Sequence, residues 1–331
     1  MRAVCLRRVP DGLPQESDFE TCSLPVPEPA AGQVRLRTRW LSLDPWLRAQ
    51  LAGRHVAPCP PPGSILPGEG IAEVLDDRSG YFPAGVLVTG PVGWAEQSVL
   101  DAGAIKLLPA GLQRPSTALG VLGIPGLTAW AGVRHILQPR AGQTILVASA
   151  AGAVGSVVGQ LCKAAGCRVV GLSSRPEKCA IVTDEFGFDA CVDYRARDFP
   201  EALRSACPDG IDGFFDTVGG AVLERALALL RPRARVVLCG LIDQYNRSER
   251  PPGPNLGPVI AARARLEGLV VYDHLAEFSR CREELSAMLD AGSLRYREHI
   301  HTGLAQAVGG FIGLLRGDNL GKALVRLEGS P

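Results

Sequence analysis

The chain is short of unbalanced charge, of patterned metal ligands and of any long uninterrupted apolar run, and each deficit removes a class of function. Its 331 residues carry a formal net charge of +1 with no long Lys/Arg cluster, so the electrostatic footprint of a nucleic-acid or anionic-membrane binder is missing. The longest apolar stretch is interrupted by glycines, and no membrane-spanning helix is expected. The start, Met1-Arg-Ala-Val-Cys-Leu-Arg7, meets charge too soon for a secretory leader, which makes cytoplasmic residence the expectation. No C-x-x-C occurs among the 10 cysteines; they are scattered, several within apolar patterns, and are expected to be reduced small hydrophobes. The five histidines show no ligand spacing beyond the pair His299/His301, which fits one strand face but lacks a third partner, so no metal is expected. Internal repeats and low-complexity segments are absent as well. What is present, 46% hydrophobic and 21% charged residues, suits an ordinary globular chain with a large core and two domains.

The most informative string is Ala150-Ala151-Gly152-Ala153-Val154-Gly155. It follows the β-branched run Thr144-Ile-Leu-Val147 and opens a stretch with helical spacing at Val154, Val157, Val158, Leu161, Cys162 and Ala165. A strand ending in a small-residue turn lets backbone N–H groups approach a pyrophosphate, and the next helix turns its positive dipole end toward it. The string alone equally describes a plain strand-to-helix turn, because Ala150 replaces the first glycine. Gly166 stops the helix and Arg168-Val-Val-Gly-Leu172 reads as the next strand, completing a βαβ unit of the required length.

A site for NAD carries an Asp or Glu at the end of that second strand. Here the place holds Ser173-Ser174-Arg175, with Lys178 close behind. Hydroxyls and two cations suit a 2′-phosphate dianion, and no acid repels it, which points to NADPH. Solvated charges at a helix start are the alternative use of Arg175 and Lys178.

Residues 1–120 are rich in Pro, Gly and alternating runs such as Gln33-Val-Arg-Leu-Arg-Thr38, the pattern of an all-β module. From 121 to 290 helices alternate with strands expected at 144–148, 168–172, 190–193, 213–216, 235–239 and 266–271, a doubly wound parallel sheet. The tail, 291–331, offers a helix around residues 303–315 and a closing strand at 322–327; it is too short to fold alone and must pack on another domain.

Ordered strings then carry a resemblance that spans nearly the whole chain: Leu41-Ser-Leu-Asp-Pro-Trp46-Leu-Arg48, Gly93-Trp94-Ala-Glu96, Val121-Leu-Gly-Ile-Pro-Gly-Leu-Thr128-Ala, Asp216-Thr-Val-Gly-Gly220, Cys239-Gly-Leu-Ile-Asp-Gln-Tyr245-Asn246 and Gly317-Asp-Asn319-Leu-Gly-Lys322. They resemble the medium-chain dehydrogenase/reductase superfamily, within it the zinc-independent leukotriene B4 dehydrogenases, prostaglandin reductases, 2-alkenal double-bond reductases and curcumin reductases. The resemblance implies an α/β chain with a GroES-like β-barrel-type catalytic domain (1–120), a Rossmann NADPH-binding domain (121–290) and a C-terminal return to the catalytic domain (291–331). Zinc dehydrogenases of the superfamily carry a cysteine and a Gly-His-Glu string where this chain has Ser42 and Pro67-Gly-Glu69-Gly70, so alcohol activation by a Lewis acid loses its ligands. NADPH-dependent reduction of the activated C=C bond of enones and enals is the activity implied: hydride to the β-carbon, charge on the carbonyl oxygen, then protonation.

By the same resemblance the pyrophosphate turn is Ala151, Gly152, Ala153 and Val154, with Gly155 packing the helix. Lys178 and Tyr194 fall where the family grips the 2′-phosphate, joining Ser173 and Arg175 of the loop after the second strand. Cys239, Gly240, Leu241, Ile242 and Tyr245 line the cofactor, Leu269, Val270 and Val271 flank the nicotinamide, Ile124 and Thr128 face the same ring, and Asn319 reaches it from the tail. Thr217 stands where the family commonly has Asn. Tyr245 precedes a Pro/Gly-rich segment, Pro251-Pro-Gly-Pro-Asn-Leu-Gly257, similar to the family's substrate lid, and a second lid tyrosine is replaced by Ala261. Tyr245 is therefore the remaining donor to the substrate carbonyl, with packing on the cofactor as its other role. Trp46 forms an apolar wall, and Arg48 either meets an acidic substrate tail or pairs internally with Asp44. Family members are commonly homodimers, and a small-molecule substrate is the expected partner. An NADPH:quinone reductase and a non-catalytic NADPH-binding member remain the other readings.

Overall fold

The computed structural model describes residues 1–109, 111–112, 114–249 and 251–327. Numbered along the chain, its strands are β1 (Arg2–Leu6), β2 (Phe19–Ser23), β3 (Gln33–Ser42), β4 (Gly70–Asp77), β5 (Leu87–Gly90), β6 (Gln97–Asp101) and β7 (Lys106–Leu107). There follow β8 (Thr144–Val147), β9 (Arg168–Ser173), β10 (Ala190–Asp193), β11 (Ile211–Asp216), β12 (Leu230–Leu238) and β13 (Arg265–Gly268). The last are β14 (Glu298–Thr302) and β15 (Lys322–Arg326). The chain divides into two compact units, one of Met1–Leu119, Tyr245–Ser248 and Glu298–Pro331, the other of Gly120–Gln244 and Glu249–Arg297.

The first unit is built on a seven-stranded sheet in the order β14-β15-β3-β4-β5-β7, with β6 added to β3, and a separate β1-β2 ribbon. Alternation along β3 buries Val34, Leu36, Trp40 and Leu41. Val34, Leu36 and Leu41 join a core with Leu6, Leu66, Val74, Trp94 and Phe311, where the Phe311 ring makes T-shaped contacts with both Trp94 and Phe19, while Trp40 packs in a second cluster with Ile71 and Leu324. The expectation of an all-β module omitted a short helix, Trp46–Leu51, which Pro45 starts with its φ near the helical value. The tail supplies β15, which pairs antiparallel with β3, and the unexpected β14, parallel to β15; the helix between them is Ala307–Arg316. β14 escaped the reading because Glu298-His-Ile-His-Thr302 is polar at every position except Ile300, and nothing in it is fully buried, so it carries no strand-like apolar pattern.

The second unit is a six-stranded parallel sheet, order β10-β9-β8-β11-β12-β13. β8 sits near the centre with Ile145, Leu146 and Val147 fully buried, which is why its sequence is continuously aliphatic. Its helix, Gly155–Ala164, buries Val157, Val158, Leu161 and Cys162, and Gly159 is required there because a Cβ would lie 1.8 Å from the Phe188 ring. The chain runs outward from β8 through β9 to β10, then returns to β11 on the other side of β8. That reversal is a topological switch point, and ligands of open parallel sheets bind outside the carboxyl ends of the strands there. Two strands start earlier than expected, β11 at Ile211 and β12 at Leu230, and β13 ends at Gly268, leaving Leu269 and Val270 in the loop beyond it and Val271 at the start of a 3-10 segment, Val271–Glu277. No helix among the described residues is long and apolar enough to cross a membrane.

Candidate functional site

The sheet topology brings the separated candidate strings to one edge. Residues 148–154 leave β8, Ser173 and Arg175 stand at the end of β9, Tyr194 follows β10, Thr217 follows β11, residues 239–241 follow β12 and residues 269–271 follow β13. All are carboxyl ends of parallel strands, so chain segments more than a hundred residues apart share one rim.

The turn after β8 is tighter than its sequence suggested. Its left-handed residue is Ser149, at φ 49°, rather than a glycine, a strained conformation that the surrounding bonds must hold. Gly152 N–H donates to Ser149 O at 2.8 Å, and Ala150 N–H donates to Leu172 O at 2.9 Å, tying the turn to β9. A Cβ on Gly155 would lie 2.4 Å from Ser149 O, so the third small residue allows the helix to approach the turn. Ala150 is fully buried, which explains how alanine serves in the first position.

At the end of β9, Ser173 and Ser174 are buried and Arg175 precedes the helix Pro176–Asp184 that carries Lys178. Tyr194 N–H donates to Ser173 O at 2.9 Å, which fixes the phenol beside this loop. Burial pushes the Tyr194 hydroxyl up, against the Arg195 charge and a bond with Ser174 that pull it down. Arg195 was missed by the sequence reading; its guanidinium lies 6.0 Å from the Tyr194 ring centre. Its adjacency to Tyr194 was the available signal. The acid next to it, Asp193, accepts the Arg195 N–H at 2.9 Å.

The turn after β11 is organised by Asp216, fully buried. Its Oδ1 accepts from Val218 N at 2.8 Å and Gly219 N at 3.1 Å, and Oδ2 accepts from Gly219 N at 3.1 Å. Burial nevertheless raises its titration to about 6. Cys239 N donates to Asp216 O at 2.8 Å, joining this turn to the loop after β12, and burial pushes the Cys239 thiol up to about 12, so it is not a reactive thiolate. Between these two loops Thr217 Oγ1 is buried with no hydrogen-bond partner. An orphaned hydroxyl on the ligand-binding rim and a glycine cradle that a Cβ would fill are the features a bound dinucleotide satisfies.

The remaining candidates are placed less uniformly. Thr128 Oγ1 donates to Ile124 O at 2.8 Å within the helix Ile124–Ala131. Leu269 is buried while Val270 is exposed. In the other unit, Tyr245 ends the helix Ile242–Tyr245 and is half-buried, and Asn319 Nδ2 donates to Gly321 O at 2.8 Å, closing its own turn. Trp46 packs on His55, ring centres 5.5 Å apart. Arg48 does not pair with Asp44: it is buried, Nε donates to Asn246 Oδ1 at 3.1 Å and Nη2 to Gly12 O at 2.7 Å, while Nη1 has no partner. Asp44 is taken instead by the buried Lys322, whose Nζ also donates to Leu43 O at 2.9 Å, and by Ser42 Oγ. Glu69 is held toward its neutral form by burial and by the Asp44 charge. Sequence reasoning did not foresee the Lys322–Asp44 pair, since 278 positions separate them.

A doubly wound parallel sheet with a small-residue turn at its switch point and a hydroxyl- and cation-bearing loop after the second strand defines a nicotinamide-dependent oxidoreductase of the two-unit type. Residues 153–291 match the zinc-binding dehydrogenase family and residues 2–108 the N-terminal domain of oxidoreductase family. The NADPH-dependent curcumin reductase of Escherichia coli (strain K12) is 40% identical over 97% of this chain and 95% of its own. The 2-alkenal reductase (NADP(+)-dependent) of Nicotiana tabacum is 36% identical over 99% and 97%. Among solved structures, CurA from Vibrio vulnificus in complex with NADPH superposes with a TM-score of 0.95 at 36% identity, covering 99% of both chains. The chain belongs to the medium-chain dehydrogenase/reductase superfamily, in its alkenal/enone reductase family.

Proposed function

We propose that this chain is an NADPH-dependent reductase of the activated C=C bond of α,β-unsaturated ketones and aldehydes. The observation that carries the reading is the shared carboxyl rim of the parallel sheet, where the cradle at 151–155, the Ser173/Arg175/Lys178/Tyr194 loop and the orphaned Thr217 hydroxyl meet. When bound, NADPH supplies the hydride delivered to the substrate β-carbon. The turn Ala151–Gly152–Ala153–Val154 holds the pyrophosphate at the helix start through the N–H groups of Ala151, Ala153 and Val154, while Gly152, whose N–H closes the turn on Ser149 O, leaves room for the close approach, and Gly155 lets the helix come near. Ser173, Arg175, Lys178 and Tyr194 hold the 2′-phosphate, with Arg195 behind Tyr194. Thr217, with Cys239, Gly240, Leu241 and Ile242, lines the cofactor; Leu269, Val270, Val271, Ile124, Thr128 and Asn319 orient the nicotinamide end. Tyr245 donates to the carbonyl oxygen as enolate charge builds there. Trp46 offers an apolar wall, and the unpartnered Nη1 of Arg48 suits an anionic substrate group.

The chemistry at the end of β3 supports a zinc-independent route. Ser42, an already paired Asp44 and a Glu69 held toward neutrality supply no thiolate, no imidazole and no available carboxylate, the donor types that a catalytic zinc takes. Ten free thiols and a reduced cofactor suit the cytoplasm. A homodimer is proposed through the open edge strand β13, beside which Val270 and Tyr272 are exposed.

The test is loss of NADPH absorbance with a small enone, a quinone and a simple alcohol in parallel, repeated with Tyr245→Phe. Consumption with the enone alone, and a lower kcat in the variant, is expected. Preference for the quinone would replace the reading by a quinone reductase, no consumption with any substrate would end it, and unchanged turnover in the variant would remove Tyr245 as donor.

A further inference from the structure

Far from these strings in sequence, one group of side chains has the donor set of a metal centre. Among the described residues it is the one trio of His, Cys, Asp or Glu side chains close enough to share an ion: His135, His274 and Glu277, each offering one ligand atom within 4.8 Å of the other two. We propose that these three residues bind a divalent transition-metal ion, zinc in the first instance, and that the ion clamps together the two segments that carry them.

His135 lies on a π-helical turn, Gly132–Leu137, that continues the helix Ile124–Ala131, while His274 and Glu277 lie on the 3-10 segment Val271–Glu277 packed against that helix. Single π-turns are rare and recur at functional positions. Glu277 Oε1 lies 2.8 Å from His135 Nε2 and 3.4 Å from His274 Nδ1. Ligands on a tetrahedral zinc with bonds near 2.0 Å stand roughly 3.3 Å apart, so the carboxylate already keeps both imidazoles at about ligand spacing. The two rings are stacked, centres 4.9 Å apart at an interplanar angle of 13°, so sharing one ion requires at least one imidazole to turn about χ2. Two imidazoles and one carboxylate are a borderline donor set that selects zinc, nickel or copper over magnesium or calcium, with water completing the shell.

The surroundings leave the trio available. The neighbouring acid Glu284 is engaged elsewhere, accepting from Trp130 Nε1 at 2.8 Å and from Arg134. The Trp130 ring sits edge-on to His135, centres 5.6 Å apart, and restricts how far that imidazole can swing. All three side chains are partly exposed, which gives an ion an entry path. The clamp would also reach function, because the 3-10 segment begins at Val271, itself the last of the three residues proposed to flank the nicotinamide.

Untagged full-length protein, stripped with chelator and kept reduced, is titrated with zinc chloride by calorimetry, beside His135→Gln/His274→Gln and, separately, Glu277→Gln. One equivalent per chain is expected in the parent chain, lost in the double variant and weakened by roughly tenfold in Glu277→Gln. Hydrogen exchange in residues 132–137 and 271–277 should slow on zinc addition in the parent only. Because the ten thiols also take zinc, equal binding in all three proteins assigns the ion to cysteine and overturns the proposal. So does binding without protection of both segments, or no binding at all.

Discussion

Asp216 makes the stability of the coenzyme-binding unit depend on pH in a direction opposite to most carboxylates. Its carboxyl is completely buried, and burial raises its titration from 3.8 to about 6 despite hydrogen bonds from Val218 and Gly219. A group that binds its proton more tightly when folded is stabilising below the unfolded value and loses that contribution as pH rises through the folded one. From well below 3.8 to well above 6 the loss totals about 3 kcal/mol, and between pH 5 and 7.5 it is roughly 1.4 kcal/mol. Asp216→Asn removes the titration while keeping one oxygen acceptor for the turn. Its fixed cost, an amide N–H₂ in a dry site, adds a constant that does not vary with pH. The assay is native-state hydrogen exchange at the β11 and β12 amides, corrected for intrinsic rates, because a chain of two units does not guarantee a single two-state transition. The stability difference, variant minus parent, should grow by roughly 1.4 kcal/mol between pH 5 and 7.5. Parallel profiles would refute the reasoning, and a parent chain gaining stability relative to the variant over that range would show that the hydrogen bonds outweigh burial.

Two further perturbations address the cofactor rim. Gly155→Ala places a Cβ 2.4 Å from Ser149 O and 2.9 Å from Ala148 O, both backbone atoms that cannot swing aside. Overpacking of this kind costs about 1–3 kcal/mol, so a lower melting temperature and a higher Kd for NADPH are expected together, read by thermal denaturation and by fluorescence titration; an unchanged Kd would move the pyrophosphate away from this turn. Arg175→Ala/Lys178→Ala should raise KM for NADPH by roughly tenfold or more through loss of charge-assisted bonds, with the constants for NADH unaltered; equal losses for both cofactors would mean that these cations act on something other than the 2′-phosphate.

How much of this was legible before the fold depended on the distance over which each feature is decided. The strand Thr144–Val147, its small-residue turn and the helix beyond are written in neighbouring residues, through aliphatic runs and a 3.6-residue period, and the structure has them within a residue. The replacement of an acid by Ser173, Ser174 and Arg175 is equally local. β14 was not legible, since a segment polar everywhere but at Ile300 resembles a loop until β15 pairs with it. Arg48 and Asp44 are close in sequence and of opposite charge, yet each is satisfied by a distant partner, Gly12 and Asn246 for one, Lys322 for the other.

The sequence by itself determined the class of the two modules, the order of the motifs and the chemistry on offer at each strand end, because backbone propensity, turn residues and amphipathic period act over a few positions. Only the tertiary structure decided which of those ends share a rim, that Ser149 rather than a glycine takes the left-handed position, that Thr217 is left with an unmet hydroxyl, and that His135, His274 and Glu277 meet. Burial, pKa and donor geometry are properties of neighbours in space, and His135 and His274, 139 positions apart, carry no local signal of their encounter.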